Sequence, residues 1–391
     1  MVNCVETIER FCLTEPLATY DPYDIWKTRL GFLVKDFYNH HRCAALPAAA
    51  ALTLFDAFVN NRSRRFYRRQ EYPIVRAMAA LALFNLYEAD PRDCYLDFAQ
   101  RHLAWLAEHS STGYSGKCWG LQFNYAVDRG LVYDLNTPLS TMSPYALEAF
   151  VRCDQVTGTR RHAGVVESIF AFFDRDLQVM EEDHDSMATS YAPLRDRIVV
   201  NASSYTMYAF ALCLDYLTSQ AKSAVLDRIR KLCNFVLHNQ REDGSWLYSP
   251  QGHSFIDCFH SCIVIKNLEK TSRLVPLPKV KAAVTEGYSY LKRVFLDPRI
   301  GLYKRFSLQN KASLVKVDLY DNAEMLNLAL LLGENQEAAR LAQAIEAIFC
   351  VGDDIYSQLD IFGNRRNKNT LRWAVMPYLY ALSSQYKITR N

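Results

Sequence analysis

The densest chemistry in this chain lies at residues 241–262, REDGSWLYSPQGHSFIDCFHSC. Asp257 and His260 are three positions apart, so a helix running through them puts both on one face. A carboxylate beside an imidazole can orient the ring, tune it, or share its proton work. Cys258 and Cys262 are four apart and fall on a different face, which disfavours a Cys-His-Cys zinc site because its three ligands would have to converge. No metal or other cofactor is therefore expected. The structural alternatives are an N-cap for Asp257 and a satisfied core imidazole for His260. The turn before them carries Trp246 as a candidate substrate contact.

Four other stretches hold groups of the same kind. GYSGKCWGLQFNYAVDRG, residues 113–130, offers Trp119 and Phe123 for stacking on a sugar face, with Asn124 and Tyr125 beside them. The same aromatics would equally cover a core. DRIVVNASSYTMY places Asn201 just before a helix, as a ligand or a cap, and Tyr205 on its first turn, as a proton carrier or a core residue. In KVDLYDNAEML, Asp321 and Glu324 match a capping box, which leaves Asp318 as the functional acid. NRRNKNTLRWAVMPYLYAL brings Arg372, able to hold a carboxylate or phosphate, and Trp373, able to stack. A basic run outside this pattern, Arg62, Arg64, Arg65, Arg68 and Arg69 with aromatics between, suits a solvated helix face, an anionic polymer or a lipid surface.

These groups need elements to position them, and the sequence is helical throughout. Broad apolar faces at helical spacing recur in YPIVRAMAALALFNLYEA, YTMYAFALCLDYL and AEMLNLALLLGE, each followed by a second amphipathic helix. The first members of the pairs begin near residues 75, 143, 203, 257, 322 and 372. Six repeats of one helix pair without polar terminal caps predict an all-α (α/α)6 toroid rather than an open solenoid. Residues 71–391 would form the ring, as one domain with an N-terminal helical segment, residues 1–70, packed on it. Loops entering the inner helices would line one rim, where the candidate residues fall.

Half of the 391 residues are hydrophobic, enough for a large core, and the net charge of +3 gives no general argument for nucleic acid. Eleven Cys, an odd and scattered set, suit reduced thiols and a cytoplasmic location. MVNCVETIERF lacks the pattern of a secretory signal, and no apolar run approaches the roughly 20 residues of a membrane span. Peripheral membrane contact is compatible with the basic run.

KCWGLQFNY, VVNASSY, QREDGSWLYSPQGHSFIDCFHSC, VKVDLYDNAEML and LRWAVMPYLYAL, in that order, resemble a bacterial family associated with capsule and exopolysaccharide biosynthesis. Its members are often labelled as similar to prenyltransferase or squalene-cyclase repeats because of the DGSW turn. The resemblance spans about residues 75 to 385 and implies an (α/α) toroid linked to surface polysaccharide, without a settled mechanism. Asp257, His260, Asp318, Arg372 and Trp373 match the pattern; at 124, where the family pattern carries an acid, this chain has Asn124.

Four function classes follow. A glycosidase would use Asp257 and Asp318 as paired carboxylates from adjacent inner helices. A uronate C5-epimerase or polysaccharide lyase would need a carboxylate-neutralising group (Asn201, Asn124 or Arg372) and a base (His260, Tyr205 or Tyr125); the amide at 124 suits this class better. A glycan-binding protein would use the same aromatics and arginines without chemistry. A terpene cyclase would want an acid cluster in an apolar cavity. The glycosidase leads among the expectations, on an oligosaccharide or polysaccharide that an arginine-lined site would favour as anionic.

Overall fold

The computed structural model describes residues 4–195, 197–252, 254–309 and 312–390. Its helices are α1 (Cys4–Cys12), α2 (Asp24–Lys27), α3 (Arg29–His40), α4 (Arg42–Leu54), α5 (Pro73–Ala89), α6 (Asp93–Glu108), α7 (Ser143–Thr157), α8 (Ala163–Arg175), α9 (Val200–Cys213), α10 (Ser219–His238), α11 (Cys258–Leu274), α12 (Val280–Val294), α13 (Leu319–Leu331), α14 (Asn335–Phe349) and α15 (Met376–Arg390).

Sequence character decides which helices go inside. In α9, thirteen of fourteen residues are buried, so no face is left for solvent. In α10, six of twenty are buried, on one stripe. Helices α5, α7, α9, α11, α13 and α15 form the inner ring, each against the next, and α15 closes the circle on α5. Helices α6, α8, α10, α12 and α14 pack outside their preceding inner partners, and α1 packs on α15 and α5 in the remaining outer position. The (α/α)6 toroid is thus observed, with inner helices starting within a few residues of the expected places.

Short antiparallel ladders tie the rim. Ile256–Asp257 pairs with Phe306–Leu308, and Val315–Asp318 pairs with Asp354–Asp360, which also pairs with Arg365–Lys368. The first register sets Asp257 opposite Phe306; the second sets Asp318 opposite Gln358.

Two expectations for the N-terminal region change. The basic run does not lie on a helix face: residues 61–69 form turns, and Arg64 is buried, donating to Asn367. The helical stretch Arg42–Val59 is also long and apolar enough, by length and composition, to cross a membrane. The π-helical turn Phe55–Val59 extends α4 to give that length, so the apolar run is longer than the residue pattern suggested.

Candidate active site

Asp257 ends a two-residue strand in an extended conformation and caps α11, accepting from the His260 backbone N at 3.0 Å. The same carboxylate receives His260 Nδ1 at 2.8 and 3.0 Å from its two oxygens. With Nδ1 committed to Asp257, Nε2 is the free end of the ring, and among the described residues it has no hydrogen-bond partner. The imidazole is partly exposed and walled by aromatic rings, with centroids at 3.8 Å (Phe259) and 4.6 Å (Tyr248). Beside it is a pocket of about 10 Å³, room for roughly one water, lined by Asn201, Tyr248, Asp257, His260 and Ser261 among others. Asn201 Oδ1 is buried there without a hydrogen-bond partner among the described residues.

Phe259 continues the wall to Trp373, with centroids 5.6 Å apart, and Trp373 stacks on Tyr320 at 4.6 Å. Behind Trp373 lies Asp318, fully buried. It caps α13 through the Tyr320 backbone N at 2.9 Å. It also accepts from Arg305 Nη1 at 2.9 Å, Gln358 Nε2 at 2.9 Å and Trp373 Nε1 at 3.0 Å. A carboxylate with four donors around it is a structural anchor. This corrects the expectation that Asp318 is the free acid and Asp321 the cap: α13 begins at Leu319, which makes Asp318 its N-cap. Asp321 instead accepts from the Phe259 backbone N at 3.0 Å, and its other oxygen is buried without a partner among the described residues. Burial, with Asp318 and Asp257 adding to it and Arg305 only partly offsetting it, pushes the Asp321 carboxyl well above its ordinary range.

The N-terminal arm completes this side. Arg372 donates to Asp21, and Lys27 Nζ reaches Asp24 at 2.9 Å and the Tyr72 hydroxyl at 2.6 Å. Burial alone would raise Asp21; Arg372 and Lys27 outweigh it and bring the carboxyl down to about 2. Tyr23 stands edge-on to Trp373 at 5.0 Å and accepts from Arg305 Nη2 at 3.1 Å.

Three expected site residues belong to the core. Trp119 is fully buried and donates from Nε1 to the Leu106 carbonyl at 3.0 Å. Trp246 is buried, donates to the Val236 carbonyl at 2.8 Å and fills the space over Gly287, where an added Cβ would meet its ring at 2.7 Å. Tyr205 is buried with its hydroxyl 2.6 Å from that of Tyr145, and burial pushes it far up. Asn124 accepts from the Leu135 backbone N at 2.8 Å and braces the rim hairpin. Tyr125, by contrast, is 40% exposed, with Arg197 and Arg372 as its cationic neighbours. Cys258 and Cys262 are buried toward the Asp321 carbonyl and Met325, on the core side as their spacing implied.

Arg197, Arg305, Tyr23 and Asp21 were not singled out from sequence. Arg197 lies over the rings of Tyr191 and Tyr248, at 4.7 and 5.8 Å. Arg305 is delivered by the ladder that sets Phe306 against Asp257, a pairing across nearly fifty residues with no local signal. The assembled site therefore offers an oriented imidazole with one open nitrogen, a buried amide oxygen and a rim of tyrosines and arginines.

No protein-family model and no curated protein matches the sequence. Among solved structures, the chain is similar to cellobiose 2-epimerase from Bacillus thermoamylovorans, with a TM-score of 0.63 at 11% identity over 82% of this chain and 88% of that one. A sugar epimerase from a ruminal bacterium matches with a TM-score of 0.60 at 12% identity over the same shares. The GH76 α-mannanase of Bacteroides thetaiotaomicron matches with 0.57 at 9% identity over 95% of this chain and 99% of that one. At such identities the likeness is one of fold, and the fold shared with these sugar-processing enzymes is the (α/α)6 toroid.

Proposed function

We propose that this protein is a sugar-processing enzyme that moves a proton on and off carbon, an epimerase or isomerase, with His260 as the base. The observation that carries the proposal is the Asp257–His260 pair: the carboxylate fixes Nδ1 and leaves Nε2 open at an aromatic, partly exposed wall. A base so held can take a proton from a carbon whose acidity a neighbouring carbonyl or carboxylate raises. Arg372 and Arg197 are the groups positioned to stabilise negative charge that develops on the substrate. The arginines favour an acidic sugar, which makes uronate C5-epimerisation the most specific form of the proposal.

The paired-carboxylate glycosidase is disfavoured on geometry. Asp257 and Asp318 are both buried N-caps, and Asp318 has no oxygen lone pair left for a leaving group or water. A lyase would use the same base, and one solved structure with this fold is a polysaccharide lyase (TM-score 0.56, 9% identity). A bacterial surface polysaccharide or its precursor is the proposed substrate, and the cytoplasm the proposed location; eleven free Cys support the latter.

The test is incubation with uronate-containing oligosaccharides in deuterated water, followed by NMR. Deuterium at a ring carbon with the chain length unchanged supports the proposal. New ultraviolet absorbance from an unsaturated product assigns a lyase. New reducing ends without deuterium would overturn proton transfer on carbon.

A further inference from the structure

The hairpin of α3 and α4 contradicts the usual rule for soluble helices. Helix α4 is apolar on nearly every side, a composition that belongs in a core or a membrane, yet of its thirteen residues only Ala45 is buried. Leu30, Leu33 and Phe37 of α3, at i, i+3 and i+7, are exposed as well. The patch continues through Leu46, Leu54, Phe58 and Val59 to Phe66, which is 83% exposed on a backbone with φ of +71°. A bulky residue held at positive φ and turned outward is strained. Ile361 and Phe362, exposed at the tip of a rim ladder, extend the same surface, with Phe362 6.0 Å from Phe58. An apolar patch of this kind marks a surface that something covers.

Charge identifies the occupant. Between residues 29 and 69 there are eight Arg and Lys against two Asp, so this segment alone carries +6, more than the +3 of the whole chain. Arg62, Arg65, Arg68 and Arg69 are exposed where the hairpin returns to the ring, and Arg42 is exposed at its far tip. A two-fold contact of hairpin on hairpin would set +6 against +6. An anionic polymer would answer the charge and leave the leucines and phenylalanines wet. An anionic lipid surface satisfies both.

We propose that the α3–α4 hairpin docks this protein in the plane of an anionic membrane surface, apolar side chains among the acyl chains and arginines at the headgroups. The hairpin lies on the surface and does not cross. Its two flanks are tied to each other by backbone hydrogen bonds between Thr19 and Gln70 at 2.9 and 3.0 Å, and to the ring by the Leu371 backbone N donating to Thr19 Oγ1 at 2.9 Å and by Asn61 donating to Asn367 at 2.9 Å. Helix α3 also packs on the rim strand Tyr125–Asp128, so docking brings the mouth of the ring close to lipid. The proposal stands independently of the chemistry assigned to His260.

The test is sedimentation of the full chain with vesicles of phosphatidylcholine alone and of phosphatidylcholine with one-third phosphatidylglycerol. Binding to the anionic vesicles only, reversed by high salt, is expected. Replacing the four exposed arginines (Arg62→Gln, Arg65→Gln, Arg68→Gln, Arg69→Gln) should weaken partitioning by more than about 100-fold. Leu46→Glu with Leu54→Glu should abolish it, with circular dichroism unchanged because these positions are exposed. Failure to bind either vesicle, or a concentration-dependent dimer that Leu46→Glu dissociates, would overturn the proposal.

Discussion

Two aspartates hold the same station on neighbouring inner helices and do opposite work. Asp257 and Asp318 each end a short strand, each cap the helix that follows, and each are buried. Around Asp257 the next polar group is His260, whose open nitrogen is presented to the wall of the site. Around Asp318 the neighbours are Arg305, Gln358 and Trp373, and every donor points inward at the carboxylate. An N-cap fixes a carboxylate in space; what it then does depends on whether its partners pass the interaction outward or absorb it.

The largest effect should come from the outward-facing side. His260→Gln keeps the ring's volume roughly and leaves the Asp257 cap intact, so stability should change by about 1 kcal/mol or less. Loss of a positioned base should slow proton transfer by about 1,000-fold or more, measured as deuterium incorporation. Activity that survives in this variant would move the base elsewhere and remove the contrast. Next is Asp318→Asn. Asn caps a helix as well as Asp, so the helix start survives, but Arg305 loses its buried counter-charge and an amide N–H faces two donors. Breaking such a pair costs about 3–5 kcal/mol, which urea unfolding would register. A variant as stable as the parent but inactive would place Asp318 in the chemistry after all.

The identical exchange at the other station, Asp257→Asn, should give the reverse result. The cap again survives, and no arginine depends on the charge. The imidazole loses the acceptor that fixes its tautomer, so turnover should fall by about 100-fold while the unfolding midpoint stays within about 1 kcal/mol. A stability loss matching that of Asp318→Asn would mean the two aspartates are both scaffold.

This contrast was only half legible in the sequence. Most of the ring was, because the inner helices bury more of their surface than the outer ones, which bury one stripe, a difference that composition and period carry; the sixth outer helix, α1, was not, because it lies ahead of the expected ring and closes it only through contacts with α15 and α5. Asp257 and His260 were, because a spacing of three at a helix start fixes their relation locally. Asp318 was misjudged because the Asp321–Glu324 spacing imitates a capping box, and a one-turn shift of the helix start reverses the assignment. Trp119 and Trp246 are core residues that sequence could not separate from site residues, because a Trp in a Gly-containing turn looks alike in a cleft and in a core. What settles it for Trp246 is a distant glycine, Gly287, that leaves room for its ring. Arg197 and Arg305 reach the site through contacts remote in sequence, with no period to announce them.

The smallest effect, and the one with opposite sign, belongs to Asp321. It lies in the same acidic neighbourhood as the two caps, but its second oxygen has no partner among the described residues, and burial raises its carboxyl well above the ordinary value of 3.8. The folded state therefore holds this proton where the unfolded chain releases it. Below about 3.8 both states are protonated and the group is neutral in the balance. As the pH rises past that value, unfolding is favoured by proton release, so the wild type loses stability progressively until the folded carboxyl itself titrates. Asp321→Asn removes the titration and keeps an acceptor for the Phe259 N–H. It should cost less than about 1 kcal/mol at pH 4 and gain on the wild type between pH 5 and 8, read from urea midpoints at each pH. A loss that is equal at every pH would show that Asp321 is ionised in the fold, a third anchored carboxylate like Asp318 rather than a neutral acid beside the two caps.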